Sequence, residues 1–296
     1  MSESVHVPVL FQEVLEFLNP QTGKIYVDGT LGGGGHTEAI CRYGAKVIAL
    51  DRDATALDRT ERRLKSLFED TPFPIRFAHA NYRYFAEALD MLKIERIDGF
   101  LLDLGLSSDQ LADAHRGFSF DSDGELDMRF DVSEGVTAHE LLATFPEAEI
   151  ADIIYQFGEE RHSRRIARKI VEAREAGAPI QTARHLAELI RQCVPKSRKN
   201  PIDPATRTFQ ALRIAVNDEL GSLRSALEQL PERIMPGGVA AVISFHSGED
   251  RIVKNVFRES EHWKILTPKP ITASEEEIAR NPRSRSAKLR AARRLE

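Results

Sequence analysis

Four consecutive glycines, residues 32–35, stand between two acidic residues that each end an apolar run. The first run ends at Asp28 and the second at Asp51. Glycine has no Cβ atom, so the backbone of such a loop can come close to a ligand. A carboxylate at the end of the second strand of a βαβ unit can accept hydrogen bonds from both hydroxyls of a ribose. The pattern therefore indicates a site for a nucleotide or a nucleoside.

The residues around the glycines narrow the choice of ligand. A dinucleotide-binding loop has the spacing GxGxxG, but Thr37 stands where the third glycine would be. A phosphate-binding P-loop continues with Gly-Lys-Ser/Thr, whereas His36 and Thr37 follow the glycines here. S-adenosylmethionine, which carries an adenosine ribose, is the remaining candidate. A glycine-rich turn that binds nothing stays an alternative for this loop considered by itself.

Asp103 ends another apolar run, and open α/β sheets bind ligands at the carboxyl ends of their strands. Enzymes that methylate amines commonly hold the nucleophilic amine with a carboxylate or carbonyl at this place, so Asp103 is the first catalytic candidate. Methylation of a pyrimidine ring carbon would instead need a cysteine thiolate. Neither Cys41 nor Cys193 lies near the predicted strands that end at residues 103 and 245, which disfavours that chemistry.

The segment 244–251 places a histidine, two serines, two carboxylates and an arginine at the end of the last predicted strand. His246 is the second catalytic candidate, and a hydrogen-bonded structural histidine is the alternative. A Ser-His-Asp hydrolase is disfavoured, because none of the nearby serines lies in a G-x-S-x-G elbow. Those serines are Ser107, Ser108 and Ser247.

Apolar runs that alternate with helix-like segments predict an α/β fold with a Rossmann-like parallel sheet. The predicted strands are residues 25–28, 46–50, 75–79, 99–103 and 239–245. Between the fourth and fifth strands the segments 148–155, 162–175 and 183–193 carry apolar residues at helical spacing, and 206–230 reads as one long helix that packs on the sheet. We therefore expect an all-helical domain, 113–207, inserted into a catalytic domain made of 1–112 and 208–296.

Charge is strongly segregated along the 296 residues, although the net charge is only −5. Residues 103–160 hold 15 acidic and 2 basic side chains, whereas 161–213 hold 13 basic and 4 acidic ones. The end of the chain, 280–294, has seven basic residues and no acid, and reads as a basic tail. Such segments can present basic strips to phosphates even in an acidic protein.

The sequence also excludes several classes of protein. No apolar run approaches the roughly 20 residues of a membrane span, and the first residues lack the pattern of a secretory signal, so no membrane association and a cytoplasmic location are expected. The two cysteines lie far apart without metal-ligand spacing, so neither a metal site nor a disulfide is predicted. The oligomeric state stays open, with a dimer among the alternatives.

Taken together, the motifs closely resemble the bacterial ribosomal RNA small-subunit methyltransferase H family, also called the MraW family. The matching strings occur in the family's order, at residues 6–10, 27–36, 50–53, 98–110, 116–120, 126–129, 158–161, 205–220, 245–251 and 281–290. The resemblance implies a class I methyltransferase sheet with the helical domain between strands four and five. It also implies that S-adenosylmethionine is the cofactor and that the product is N4-methylated cytidine in the decoding centre of 16S ribosomal RNA.

Carried over by motif, the resemblance implies a set of cofactor contacts from the glycine loop and the ends of strands two to four. These are Gly34, Gly35, His36, Asp51, Tyr82, Asp103 and Gln110. This chain departs from the family at Tyr82, Asp109 and Gly248, where phenylalanine, proline and leucine are usual. The change at Gly248 puts the detailed role of His246 and Glu249 in doubt.

We expect 16S ribosomal RNA, within the small ribosomal subunit, to be the partner; a methyltransferase that acts on another RNA or on a small molecule is the alternative. Phosphates of the RNA would be held by the basic tail and by a strip from the helical domain. The strip comprises Arg164, Arg165, Arg168, Lys196, Arg198 and Lys199.

Overall fold

The computed structural model describes residues 8–68, 73–107, 110–111, 113–195 and 202–296. The chain divides into two compact units, one made of Met1–Gly105 with Leu220–Glu296 and the other of Leu106–Glu219. The domain boundaries expected from the sequence, 113 and 207, lie inside the second unit. None of the helices in the described ranges has the length and apolar character needed to cross a membrane.

The first unit is built on a sheet of seven strands. In chain order they are β1 (Ile25–Asp28), β2 (Lys46–Asp51), β3 (Ile75–His79), β4 (Ile97–Asp103), β5 (Ile234–Ser244), β6 (Trp263–Ile265) and β7 (Lys288–Arg294). Across the sheet the order is β3-β2-β1-β4-β5-β7-β6, with β1 to β5 parallel and β7 antiparallel to both neighbours. The predicted Rossmann-like sheet is confirmed, and it is the class I methyltransferase sheet that the resemblance implies.

Helices cover both faces of this sheet because successive strand residues point to opposite sides. Val27, Ile48 and Phe100 lie in one apolar cluster, and their neighbours Tyr26 and Val47 lie in the other. The α-helices that accompany the sheet are Phe11–Leu18, Gly35–Arg42, Ala54–Leu67, Phe85–Met91, Glu219–Arg233, Ser247–Glu259 and Glu275–Arg280. Short 3₁₀ helices span Tyr82–Tyr84 and Pro282–Ser286.

The second unit is helical, as the periodicity predicts. Its α-helices are Ala138–Thr144, Glu147–Gly158, Ser163–Glu175, Ala183–Cys193 and Thr206–Asn217. They enclose their own apolar core, which includes Leu126, Ile154 and Ile170, all at most 1% exposed. A Cβ atom on Gly158 would collide with the carbonyl oxygen of Arg207, so glycine is what lets two of these helices approach closely.

The prediction of one helix over 206–230 is wrong. Asp218 adopts a left-handed conformation (φ 45°) and separates Thr206–Asn217 from Glu219–Arg233. A left-handed residue cannot continue a right-handed helix. Consequently Leu212 packs in the core of the helical unit, whereas Leu223 packs in the core of the sheet unit. The continuous apolar stripe of the sequence therefore serves two cores.

The prediction of a basic tail over 280–294 is also wrong, because its second half is strand β7, which lies between β5 and β6. Leu289, Ala291 and Ala292 are fully buried there. Alanine is a weak strand former, but a place between two partner strands supplies the hydrogen bonds that decide the conformation. Arg290 is 8% exposed and its Nε donates to Asp250 Oδ1 at 2.6 Å, so this side chain is held inside the protein.

Candidate functional site

The glycine loop is held in place by hydrogen bonds to both neighbouring strands. The N–H of Leu31 donates to the carbonyl oxygen of Leu50 (2.9 Å), and the N–H of Gly32 donates to Asp51 Oδ2 (2.8 Å). On the other side the N–H of Asp103 donates to Thr30 Oγ1 (2.6 Å). The loop is therefore preorganised, and it joins the carboxyl ends of β1, β2 and β4 in one arrangement.

Glycine is needed in this loop for conformation and for space inside the protein. Gly32 and Gly34 have positive φ angles of 49° and 74°. A Cβ atom on Gly34 would lie 2.6 Å from Thr60 Cγ2, and one on Gly35 would collide with Pro8. Gly32 differs, since the nearest atom to its Cβ position is the carbonyl oxygen of Thr30 at 3.9 Å. The loop thus leaves open space in front of Gly32, close to the carboxylate of Asp51.

Asp51 ends β2 with both carboxylate oxygens engaged by backbone. Oδ2 accepts from the N–H of Gly32, and Oδ1 accepts from the N–H of Asp53 at 2.9 Å. Each oxygen keeps a further lone pair, so the group can still accept from two hydroxyls. Burial, which disfavours the charged form, raises the pKa of Asp51 to about 6.

His36 and Asp103, both predicted cofactor contacts, face each other across the site. His36 Nε2 lies 3.7 Å from Asp103 Oδ2, and the two side chains are 7% and 15% exposed. Within the described residues neither ring nitrogen of His36 has a hydrogen-bond partner, and the same holds for Asp103 Oδ1. Buried polar atoms are rarely left unsatisfied, so three such atoms together mark a place where a ligand or a reacting group belongs.

Sequence reasoning missed the groups that support this pair. Thr37 Oγ1 donates to Asp28 Oδ2 at 2.7 Å, and Asp28 is 1% exposed with its pKa raised by burial. The ring of Phe11 stacks on His36 with centroids 6.0 Å apart. Thr30 and Thr37, which flank the glycine loop, were a usable signal, because threonine hydroxyls readily hydrogen-bond to backbone groups in loops and turns.

Tyr82 stands directly after β3 in the 3₁₀ helix Tyr82–Tyr84 and is 8% exposed. Its Cβ atom lies 2.9 Å from the Cβ position of Gly29, so its backbone runs beside the start of the glycine loop. Asn81 holds this turn: its Oδ1 accepts from the N–H of Arg83 (3.1 Å), and its Nδ2 donates to Ser222 Oγ (3.0 Å). The aromatic ring is therefore kept at the rim where the strands end.

Gln110, the remaining predicted cofactor contact, belongs to the helical unit. Its Oε1 accepts from the N–H of Ser107 (3.0 Å), and its own N–H donates to Ser107 Oγ (3.2 Å). Its contact with the cofactor stays a prediction. Ser108 and Asp109, where the chain departs from the family, lie outside the described residues.

His246 forms the N-cap of the helix Ser247–Glu259. Its Nδ1 accepts from the N–H groups of Gly248 (3.2 Å) and Glu249 (3.4 Å), while Glu249 Oε2 accepts from the N–H of Phe245 (2.8 Å). A nitrogen that accepts hydrogen bonds carries no proton, so in the neutral ring the proton lies on Nε2, 3.2 Å from Glu249 Oε1. The geometry explains His246 as a structural residue, and its catalytic role stays a prediction.

Gly248 lies within this cap. A Cβ atom there would come 3.1 Å from His246 Nδ1 and 3.6 Å from Leu220 Cδ1. A larger side chain would therefore press on the capping ring, whereas glycine leaves room for it. The next carboxylate, Asp250, is bound to Arg290, so both acids of this segment have structural partners.

The basic strip is described only in part. Arg164, Arg165 and Arg168 are exposed on the helix Ser163–Glu175, while Lys196, Arg198 and Lys199 lie outside the described residues. Arg168 Nε is 3.9 Å from Glu147 Oε1, a loose ion pair between two exposed groups. In the described ranges no cluster of three or more metal-ligating side chains is found.

Comparisons with known proteins cover nearly the whole chain. The model of the MraW methylase family matches residues 3–295. A protein of Rhodopirellula baltica named ribosomal RNA small subunit methyltransferase H is 51% identical over 306 residues, covering 100% of this chain and 93% of its own. A protein of the same name from Acidobacterium capsulatum is 47% identical, covering 99% of each chain.

Solved structures resemble the chain more distantly. A crystal structure of an rRNA methylase from Streptococcus thermophilus has a TM-score of 0.46 at 12% identity, over 97% of this chain and 94% of that one.

The match to the family model and the identity to the two relatives extend from the glycine loop to the final strand. By this evidence the chain belongs to the MraW methylase family.

Proposed function

We propose that this chain transfers a methyl group from S-adenosylmethionine to the N4 amine of a cytidine in 16S ribosomal RNA, in the decoding centre of the small subunit. The observation that carries the proposal is the convergence of His36 and Asp103, with unpartnered buried polar atoms, beside the preorganised loop 28–36. The names of the relatives supply the substrate class, and a substrate in the small subunit gives the protein a cytoplasmic location.

The residues at the rim fit the cofactor. The Asp51 carboxylate has free lone pairs for the two ribose hydroxyls, and Gly32 leaves space beside it. Tyr82 offers a flat ring at the end of β3 for an adenine base, and Gly34, Gly35 and Gln110 complete the proposed set of contacts. When bound, S-adenosylmethionine supplies an electrophilic methyl group on a sulfonium centre.

Asp103 is placed to orient the nucleophile. The hydrogen bond from its own N–H to Thr30 Oγ1 holds the backbone at the end of β4, and the carboxylate is mostly buried beside His36. Oδ1, without a partner in the described part of the chain, can accept a hydrogen bond from an exocyclic amine. Holding the amine in line with the methyl group lowers the entropic cost of the reaction, and no covalent intermediate is required.

The exposed arginines of the helix Ser163–Glu175 are proposed to bind RNA phosphates. Each phosphate contact releases counterions, so affinity for the substrate should fall steeply with salt. Because β7 lies in the sheet, the contribution of the chain's end is limited to side chains that stay exposed, such as Arg285 and Arg293.

The proposal is tested by incubating the protein with methyl-labelled cofactor and three substrates: small ribosomal subunits, naked 16S RNA, and a mixture of small metabolites. Label should enter RNA, and nuclease digestion with mass spectrometry should find N4-methylcytidine. Asp103→Ala should abolish transfer while the protein still melts cooperatively. Label in a metabolite alone, or cofactor binding without any transfer, would overturn the proposal.

A further inference from the structure

Resting on the proposed function, we infer that His36 is the proton acceptor of the reaction, taking from Asp103 the proton that the methylated amine releases. His36 is 6% exposed, and Nδ1 and Nε2 both lack hydrogen-bond partners among the described residues. Leaving buried polar atoms unpaired destabilises a folded protein, so a merely structural histidine would be expected to have a partner.

The ring is held where a proton can reach it. Its Nε2 is 3.7 Å from Asp103 Oδ2, slightly too far for a hydrogen bond in the resting protein. Phe11 stacks against one face of the ring, and the N–H of Asp103 is tied to Thr30. A shift of less than an ångström would bring Nε2 and Oδ2 into hydrogen-bond distance, as catalytic pairs often tighten once substrate binds.

The charges around His36 favour a transient imidazolium ion. The helix Phe11–Leu18 contributes the uncharged ring of Phe11, β1 contributes Asp28, and β4 contributes Asp103. Asp28 interacts electrostatically with both His36 and Asp103, and its carboxyl group is fully buried. A positive charge on the ring would therefore lie close to the carboxylate of Asp103 in a region of low dielectric, where such attraction is strong.

The atoms and charges balance. The amine nitrogen forms a bond to the methyl carbon as the carbon–sulfur bond breaks, and the electron pair of that bond stays on sulfur as a neutral thioether. The nitrogen then carries one proton too many, which moves to Asp103; the carboxyl group rotates to present this proton to His36, and Nε2 takes it up. Asp103 is left as a carboxylate, ready to hold the next amine, and the imidazolium loses its proton when the site opens to water.

The test compares His36→Gln with wild type in single-turnover methylation of small subunits at saturating cofactor. Glutamine retains an N–H near the position of Nε2 but cannot take up a proton. We expect the rate at saturating cofactor to fall by about 100-fold, the lower end for loss of a general base, and calorimetry measures separately how much the dissociation constant of the cofactor changes. His262→Gln, an exposed histidine beside β6, is the matched control and should keep the wild-type rate.

Two further readouts separate proton transfer from a structural role. The acidic limb of the pH–rate profile of wild type should disappear in His36→Gln. Added imidazole should restore activity to His36→Ala, whose cavity can admit it. A wild-type rate in His36→Gln, a loss explained wholly by weaker cofactor binding, or an unchanged acidic limb would each overturn the inference. If wild type itself binds cofactor but methylates no RNA, the proposed function fails instead.

Discussion

Lowering the pH from about 7.5 to about 5.5 should weaken cofactor binding about fourfold, because Asp51 takes up a proton in this range. Burial raises the pKa of Asp51 to about 6, so the ionised fraction falls from about 0.97 to about 0.24. The ionised carboxylate is the better acceptor for two ribose hydroxyls, since hydrogen bonds to charged groups are stronger. Titration calorimetry at several pH values measures the effect directly.

Asp51→Asn supplies the comparison. The variant should bind the cofactor about 10- to 100-fold more weakly at neutral pH, the loss expected for charge-assisted hydrogen bonds of about 1.5–3 kcal/mol. Its affinity should lose the pH dependence that Asp51 causes. Asp58→Asn, an exposed carboxylate on the helix Ala54–Leu67, is the control and should retain the wild-type affinity at each pH.

The raised pKa of Asp51 also makes the free energy of unfolding depend on pH, in the opposite direction from a salt-bridged acid. Because the folded pKa of Asp51 lies above the unfolded value, the folded protein binds more protons than the unfolded chain between about pH 4 and 6. This stabilising contribution is fully present below about pH 4 and is lost as the pH rises through about 6. Over the whole range the free energy of unfolding changes by about 3 kcal/mol, which corresponds to a pKa about 2 higher in the folded protein than in the unfolded chain.

Urea denaturation checks that sign. The free energy of unfolding of wild type, measured relative to Asp51→Asn, should fall as the pH rises from about 4.5 to about 7.5. A difference that is constant with pH, together with a cofactor affinity that is equal at both ends of the range, would refute the reasoning about Asp51.

Three other predictions concern stability and RNA binding. His246→Ala removes the acceptor for two backbone N–H groups of the helix Ser247–Glu259 and should lower the free energy of unfolding by about 1–2 kcal/mol in urea; unchanged stability would leave a catalytic role as its explanation. Arg290→Ala leaves Asp250 with only a 3.7 Å contact to Lys288 and should cost about 3 kcal/mol, which Asp250→Asn in the same chain should partly restore in a double-mutant cycle. Replacing the three exposed arginines of the helix Ser163–Glu175 with alanine should weaken binding to small subunits and reduce the slope of log affinity against log salt by up to about 3, and an unchanged slope would exclude them as phosphate contacts.

Much of the fold follows from local pattern. The five parallel strands were predicted because strands buried on both faces are continuous apolar runs, and the helices of the insert because their apolar residues recur at helical spacing. The break at Asp218 was invisible to this reasoning, since the stripe Phe209 to Leu227 keeps its period although it serves two cores. Strand β7 was invisible for the opposite reason, because its arginines and alanines carry no strand pattern and its conformation depends on partners distant in the chain.

For the candidate site, too, some features follow from the sequence and others only from the fold. By itself the sequence determined the kinds of group present: a glycine loop, acids at the ends of three strands, and the histidines at 36 and 246, whose order identified the family. Only the tertiary structure decided which of them face one another. His36 and Asp103, 67 residues apart in the chain, lie side by side in the fold, whereas His246 caps the N-terminus of a helix. Which side chains contact each other depends on their distance in space and on their burial, and neither can be read from residue type or spacing.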